Sequence, residues 1–168
     1  MTKDEYVNAI EVLRSADQYK LEALSLTVNG FPYGKDKFIE RHWITNAIDC
    51  GSIEAIKWML SKGVELIFQD DEGYMPLHSC IDRTLPNKYE ILKALIESGA
   101  ELNAQGNNDY TPLHLAAVNN DQKAMRILLD AGADKTIRTR IDDRTTAEEE
   151  ARILGSNEAA DFLANFKK

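Results

Sequence analysis

The chain has 168 residues, and its 20 Lys and Arg residues against 28 Asp and Glu residues give a formal net charge of −8. With 43% hydrophobic and 29% charged residues, the composition is that of a globular protein with enough apolar residues for a core, which excludes a disordered or collagen-like chain. The acidic balance disfavours nucleic acid, because phosphate contacts need clustered Lys and Arg, and it favours a basic partner if the partner is charged.

The sequence repeats itself at intervals of 33 to 36 residues. Pro76-Leu77-His78 recurs as Pro112-Leu113-His114, and Gly63, Gly99 and Gly132 each follow an apolar run at the same intervals. A period of this length is typical of solenoids, in which each unit buries its apolar face only against its neighbours. Five units account for the whole length, with approximate bounds 5–37, 38–70, 71–105, 106–139 and 140–168.

Each of the first two units is predicted to form a pair of short helices. Their apolar residues follow the spacing of amphipathic helices, although the match is degenerate. The predicted core residues are Ala9, Val12, Leu13, Ala23, Leu24, Leu26 and Val28 in the first unit and Ile44, Ala47, Ile48, Ile53, Ile56, Met59 and Leu60 in the second. Trp58 is interpreted as a packing residue of the second helix in its unit.

The third and fourth units have clearer helix boundaries. Met75 occupies the capping position of the third unit, which should weaken that helix start by about 1 kcal/mol. Three additional residues separate the two helices of this unit, and Pro86 among them predicts a loop. In the fourth unit, Thr111 can cap a helix that begins with Pro112, and Gly132 lies just past the end of the second helix.

These features resemble the ankyrin repeat, a unit of about 33 residues with a β-turn and two helices. Thr111-Pro112-Leu113-His114-Leu115-Ala116-Ala117 matches the family signature nearly residue for residue, and Gly132-Ala133 follows at the family's spacing. The resemblance implies an all-α solenoid of stacked helix-turn-helix units, with β-hairpin or loop fingers along one edge, as a single domain over 1–168. In the last unit, Glu148-Glu149-Glu150 replaces core positions and predicts a polar terminal cap, with the acids favouring the helix dipole.

The histidines and cysteines are interpreted as structural residues. The resemblance implies that His78 and His114 hydrogen-bond to the backbone of a neighbouring hairpin, whereas His42 is expected near the surface. Cys80 is expected to be a small buried residue, and Cys50 lies near a helix end. Two cysteines are too few for a disulfide framework, and the N-terminal residues do not resemble a secretory signal, so a reduced, cytoplasmic protein is predicted.

We recognise no catalytic, cofactor-binding or metal-binding pattern in the sequence. Asp70-Asp71-Glu72 lacks the alternating ligand spacing and the distal Glu of a calcium loop, and we interpret it as a solvated hairpin tip. The chain is therefore predicted not to be an enzyme and to need no cofactor or metal. A metal-dependent enzyme that uses these three acids is the disfavoured alternative.

In ankyrin proteins, variable residues on the fingers and first helices form a concave binding surface. The family pattern assigns to that surface Arg41, Asp49, Gln69, Asp71, Glu72, Tyr74, Asp82, Arg83, Gln105, Asn107, Asn108, Tyr110, Val118, Asn119 and Arg138. Between residues 63 and 82 there are five acids and no Lys or Arg, which predicts an acidic middle. The basic residues at the C-terminal edge are Lys135, Arg138, Arg140 and Arg144.

Two functions follow from this sequence reading. The first is a monomeric, non-enzymatic module that binds a protein partner, a basic one if the partner is charged, and neither nucleic acid nor a membrane. Tyrosines such as Tyr74 and Tyr110 are enriched in such interfaces. The second is a dedicated inhibitor, such as an immunity-type antidote that neutralises a basic toxin or enzyme.

Overall fold

A computed structural model describes residues 1–84, 86–140 and 144–167. Over these residues the chain forms ten α-helices and one short 3₁₀ helix, with a single isolated β-bridge between Lys35 and His42. The helices are α1 (Lys3–Ser15), α2 (Gln18–Thr27), α3 (Trp43–Cys50), α4 (Ile53–Ser61), α5 (Pro76–Asp82), α6 (Lys88–Glu97), α7 (Pro112–Val118), α8 (Gln122–Ala131), α9 (Ala147–Ile153) and α10 (Asn157–Asn165), with the 3₁₀ helix at Asn107–Asp109.

The helices form five consecutive pairs that stack as predicted. The first helices α1, α3, α5, α7 and α9 each contact the next one, and α2, α4, α6 and α8 form a second row. One hydrophobic cluster runs through the stack from Ala9 to Leu163. Among the described residues, no helix has both the length and the apolar character required to span a membrane.

The ends of the helices follow the sequence signals closely. Thr111 Oγ1 accepts a hydrogen bond from the backbone N–H of His114 at 3.3 Å, whereas Met75, at the same position of α5, offers no hydroxyl to make this bond. Helix α5 ends at Asp82, and α6 begins at Lys88, so the interruption predicted around Pro86 is confirmed for the described loop residues.

Two core predictions for the first unit are wrong. Leu26 is 87% exposed and Ala23 is also exposed, because α2 turns Leu21 and Leu24 toward the core instead. Trp43, which is not among the predicted core residues, is fully buried in the second unit. Trp43 Nε1 has no hydrogen-bond partner in the described part of the chain, so this residue contributes through packing alone.

The segments that precede α3, α5, α7 and α9 are the fingers of the solenoid. We name them finger A (34–42), finger B (69–74), finger C (105–110) and finger D (138–140 with 144–145). Finger A is shaped by the buried Asp36, whose carboxylate accepts hydrogen bonds from the backbone N–H of Phe38 and Ile39, both at 2.8 Å, and from Asn46 Nδ2 at 3.0 Å. A buried carboxylate is stabilised by this number of donors.

The two motif histidines join neighbouring fingers, as the resemblance implies. His78 Nδ1 accepts from the N–H of Met75, so Nε2 carries the proton and donates to Tyr110 O at 2.8 Å. His114 makes the same pair of bonds, and its Nε2 lies 3.2 Å from Thr145 O. The histidines therefore tie α5 to finger C and α7 to finger D.

The equivalent tie is missing between α3 and finger B. Thr45 lies at the histidine position of the second unit, and its buried Oγ1 has no partner among the described residues. His42, half-buried, stacks on Phe68 with ring centroids 3.6 Å apart. Finger A contacts finger B through Lys35 and Asp71, 3.4 Å apart, but both side chains are exposed and such pairs contribute little.

The buried histidines predict a pH-dependent stability. Burial lowers the pKa of His78 and of His114, partly offset by their bonds to backbone carbonyls. In the unfolded chain the histidine pKa values are near 6.5, so the unfolded chain takes up protons at a higher pH than the folded chain does. The stability that comes from keeping the buried histidines neutral is therefore complete above about pH 6.5, and it is lost as the pH falls through their lowered pKa values in the folded chain. We expect the free energy of unfolding in urea to decrease from pH 7 to about pH 5.5. A His78→Gln/His114→Gln variant should lose less on the same change, and an unchanged slope would contradict the assignment.

The close contacts of Gly106 predict that fingers B and C leave no room for a side chain at this position. A Cβ on Gly106 would lie 2.8 Å from Gly73 O and 3.1 Å from the His78 ring. We expect Gly106→Ala to lower the free energy of unfolding by about 1–3 kcal/mol through this overlap. The neighbouring exposed substitution Asn107→Ala serves as the control and should stay within about 0.5 kcal/mol. Equal stability of the two variants would show that fingers B and C are not tightly packed.

Candidate protein-binding face

The first helices α1, α3 and α5 meet fingers A and B around a cavity of about 730 Å³. Its walls are formed by Arg14, Arg41, Asp49, Cys50, Asp70, Glu72, Tyr74, Ser79, Asp82, Arg83 and Thr84. Six of the predicted binding residues therefore come together here: Arg41, Asp49, Glu72, Tyr74, Asp82 and Arg83. The other five wall residues are not among those that the sequence assigns to the binding surface: Arg14, Cys50, Asp70, Ser79 and Thr84.

Finger B presents its side chains through a turn that Asp70 closes. Asp70 Oδ1 accepts from the backbone N–H of Glu72 at 3.0 Å and of Tyr74 at 2.8 Å. This carboxylate is therefore used within the turn, while Asp71 and Glu72 are exposed. The triplet is the hairpin tip that the sequence predicts.

Tyr74 forms the aromatic wall of the cavity. It is half-buried, and its ring lies against that of His78 with the centroids 5.9 Å apart. Burial raises the pKa of the Tyr74 hydroxyl, and the negative charges of Asp82, Glu72 and Asp70 raise it further. The three carboxylates therefore act on one phenol from two sides, α5 and finger B.

Arg83 has mainly a structural role. It is 6% exposed, and its Nη atoms donate to Ala47 O at 3.3 Å, Gly51 O at 3.0 Å and Asn87 Oδ1 at 3.0 Å. These bonds join the end of α3 to the inserted loop after α5. The Nε atom lacks a hydrogen-bond partner in the described part of the chain.

The remaining cationic and thiol groups near the cavity differ in accessibility. Arg41 pairs with Asp49 at 2.6 Å, whereas Arg14 is exposed. Cys50 is half-buried, and burial raises the pKa of its thiol. Cys80 is fully buried and burial raises its pKa to about 12, so it is an inert core residue, as predicted.

The glutamine side chains connect fingers B, C and D. Gln69 Nε2 donates to Gln105 O at 3.2 Å, and Gln105 Nε2 donates to Asp109 O at 2.9 Å and Arg138 O at 3.0 Å. These contacts fix the spacing of the fingers, and they occupy two side chains that the sequence assigns to partner binding. Asn107 and Asn108, which were assigned to the same role, are exposed at the tip of finger C.

Tyr110 is held more firmly than Tyr74. Its hydroxyl donates to Glu150 Oε1 at 2.5 Å, and its ring stacks on His114 with centroids 5.7 Å apart. Of the predicted residues at the end of α7, Val118 is half-buried and Asn119 is exposed. Tyr110 thus connects finger C to α9, and Tyr74 is the tyrosine that lines the cavity.

Two of the four basic residues expected at the last finger pair with acids. Arg138 forms a bidentate pair with Glu149 at 2.7 and 3.0 Å, and Arg140 lies 2.8 Å from Asp109. Lys135 Nζ donates to two carbonyls near the C-terminal end of α10, both at 3.1 Å. Exposed pairs of this kind cancel much of the local positive potential.

Removing Arg83 should weaken the contact between the second and third units. We expect Arg83→Met to lower the free energy of unfolding by about 2–4 kcal/mol, because Ala47 O and Gly51 O lose donors in a buried site. Arg14→Met, on the exposed part of the same cavity, should change it by less than about 0.5 kcal/mol. Urea unfolding of both variants makes the measurement, and similar small effects would contradict the structural role of Arg83.

Comparison with known proteins agrees with this architecture. The family model for ankyrin repeats, in three copies, matches residues 14–106 and again 44–139. No curated protein sequence is significantly similar to the chain. The matched residues, the histidine-linked fingers and the paired helices together show that the chain belongs to the ankyrin repeat family, whose members are generally protein–protein interaction modules.

Proposed function

We propose that the chain binds a partner protein through the concave surface around finger B, and that the partner presents a basic region there. The observation that carries this proposal is the accessible charge. Over residues 1–84, 86–140 and 144–167, the exposed carboxylates of Glu72 and Asp82 have no cationic partner. In contrast, three arginines near the fingers are each paired with an acid: Arg41, Arg138 and Arg140.

The Tyr74 side chain supports the same surface. Tyrosine contributes a large contact area with few rotatable bonds, and its ring is already positioned by His78. A preorganised aromatic residue loses little conformational entropy on binding. The surrounding acids would accelerate encounter with a basic partner, since complementary charge acts mainly on the association rate.

The proposal includes no catalytic step and no cofactor. Both cysteines are free thiols, which agrees with the reduced, cytoplasmic location that the sequence predicts. We propose that the protein acts as a monomer and that its specificity resides in finger B and the end of α5.

The test is an affinity capture from the native organism, with the captured proteins identified by mass spectrometry. We expect a Glu72→Lys/Tyr74→Ala/Asp82→Lys variant to lose the captured partner, because the substitutions remove the aromatic contact and reverse the local charge. The control is Glu90→Lys/Glu97→Lys on α6, whose side chains are exposed on the second row of helices.

The control variant should capture the partner as the natural chain does. Association measured by stopped flow should also slow as the salt concentration rises. Undiminished capture by the concave variant, or loss of capture by the α6 variant, would disprove the location of the surface.

A further inference from the structure

We propose that the cavity beside Tyr74 receives one arginine side chain of the partner, with the guanidinium between the Tyr74 ring and the carboxylates of Glu72 and Asp82. This inference rests on the proposed function and specifies the chemistry of its central contact. It concerns the wall of the cavity formed by finger B and α5.

The size and position of the cavity suit an inserted side chain. Its volume of about 730 Å³ lies within the range of roughly 300–1,000 Å³ found for ligand pockets. One side consists of the second unit, with Asp49 and Cys50, and the other of the third unit, with Tyr74 and Asp82. A side chain that enters here is therefore surrounded by two repeats.

The carboxylates at the Tyr74 wall favour a cation there. Asp82 accepts only a long hydrogen bond, at 3.4 Å, from the amide of Asn119, and Glu72 has no side-chain hydrogen bond among the described residues. Asp82 also ends α5, where the free carbonyl groups of the helix add negative potential. Of the three arginines in the cavity walls, Arg41 is bound to Asp49, Arg83 donates to Ala47 O and Gly51 O, and Arg14 lies on the α1 side.

Arg83 fixes the shape of the cavity. It is more than nine-tenths buried, and its bonds to Ala47 O and Gly51 O hold the second unit against the third. The two walls that would surround an inserted side chain are therefore held together before the partner binds.

The geometry favours arginine over lysine. A planar guanidinium can stack on the exposed face of Tyr74 and donate to two carboxylates at the same time. A lysine ammonium is a compact, strongly hydrated charge and would lose more hydration for fewer directed bonds. Glu72 on finger B and Asp82 on α5 both lie beside Tyr74, so the forked group has two acceptors available.

The test uses the full-length ¹⁵N-labelled protein and three blocked amino acids: N-acetyl-arginine N-methylamide, its lysine analogue and its neutral citrulline analogue. We expect the arginine compound to shift the amide resonances of residues 72–74 and 82 with a dissociation constant of about millimolar order. The lysine compound should bind at least about threefold more weakly, and citrulline should cause no saturable shift there.

Matched variants distinguish binding in the cavity from nonspecific electrostatic attraction to the acidic protein. Glu72→Gln/Asp82→Asn should weaken arginine binding at least about tenfold, whereas Glu90→Gln/Glu97→Gln, with the same change in charge, should leave it unchanged. Equal shifts with citrulline, or equal weakening by both variants, would overturn the proposal. Lysine binding as tight as arginine binding would overturn the selection for guanidinium.

The outcome is distinguishable from failure of the proposed function. If the concave variant loses its captured partner but blocked arginine does not bind, the arginine site is wrong and the binding surface stands. If blocked arginine binds at Tyr74 but capture is unaffected by the concave variant, the proposed partner surface is wrong.

Discussion

The hydrogen bond from a buried histidine to a carbonyl of the next finger is the interaction on which the finger edge depends. A helix pair of this size cannot bury its apolar face alone, so its stability comes from contact with its neighbours. His78 and His114 turn that contact into a fixed register, because each ring connects its own helix start with the following finger. The position of Tyr74 follows from this register, since its ring rests on His78.

The sequence was sufficient to predict the repeat, the roles of the histidines and the break at Pro86, because these depend on local spacing and on the stereochemistry of proline. It did not predict that Leu26 faces solvent, since α2 has weak amphipathic patterning and its rotation is set by Leu21 and Leu24. It could place Arg83 at the binding face but could not show its buried bonds to the preceding unit.

The distribution of accessible charge is the property for which the structure differs most from the expectation based on the sequence. Counting along the chain predicts a basic edge near Arg138 and Arg140, but each pairs with an acid that lies 11 or 31 residues away in sequence. Such pairs depend on finger stacking and are invisible to a linear count. Glu72 of finger B and Asp82 of α5, in contrast, keep exposed carboxylates on the wall of the cavity.

The threonine at position 45 gives the solenoid a junction of a different kind. Where α5 and α7 hold the next finger by a histidine, α3 is held instead by Arg83, which reaches back from the end of α5. Arg83 thus adds a buried polar attachment between the second and third units at the far ends of α3 and α5, beside the apolar packing of these two helices. The register that a histidine fixes on the finger side in units three and four is supported at this junction from the opposite end of the helices.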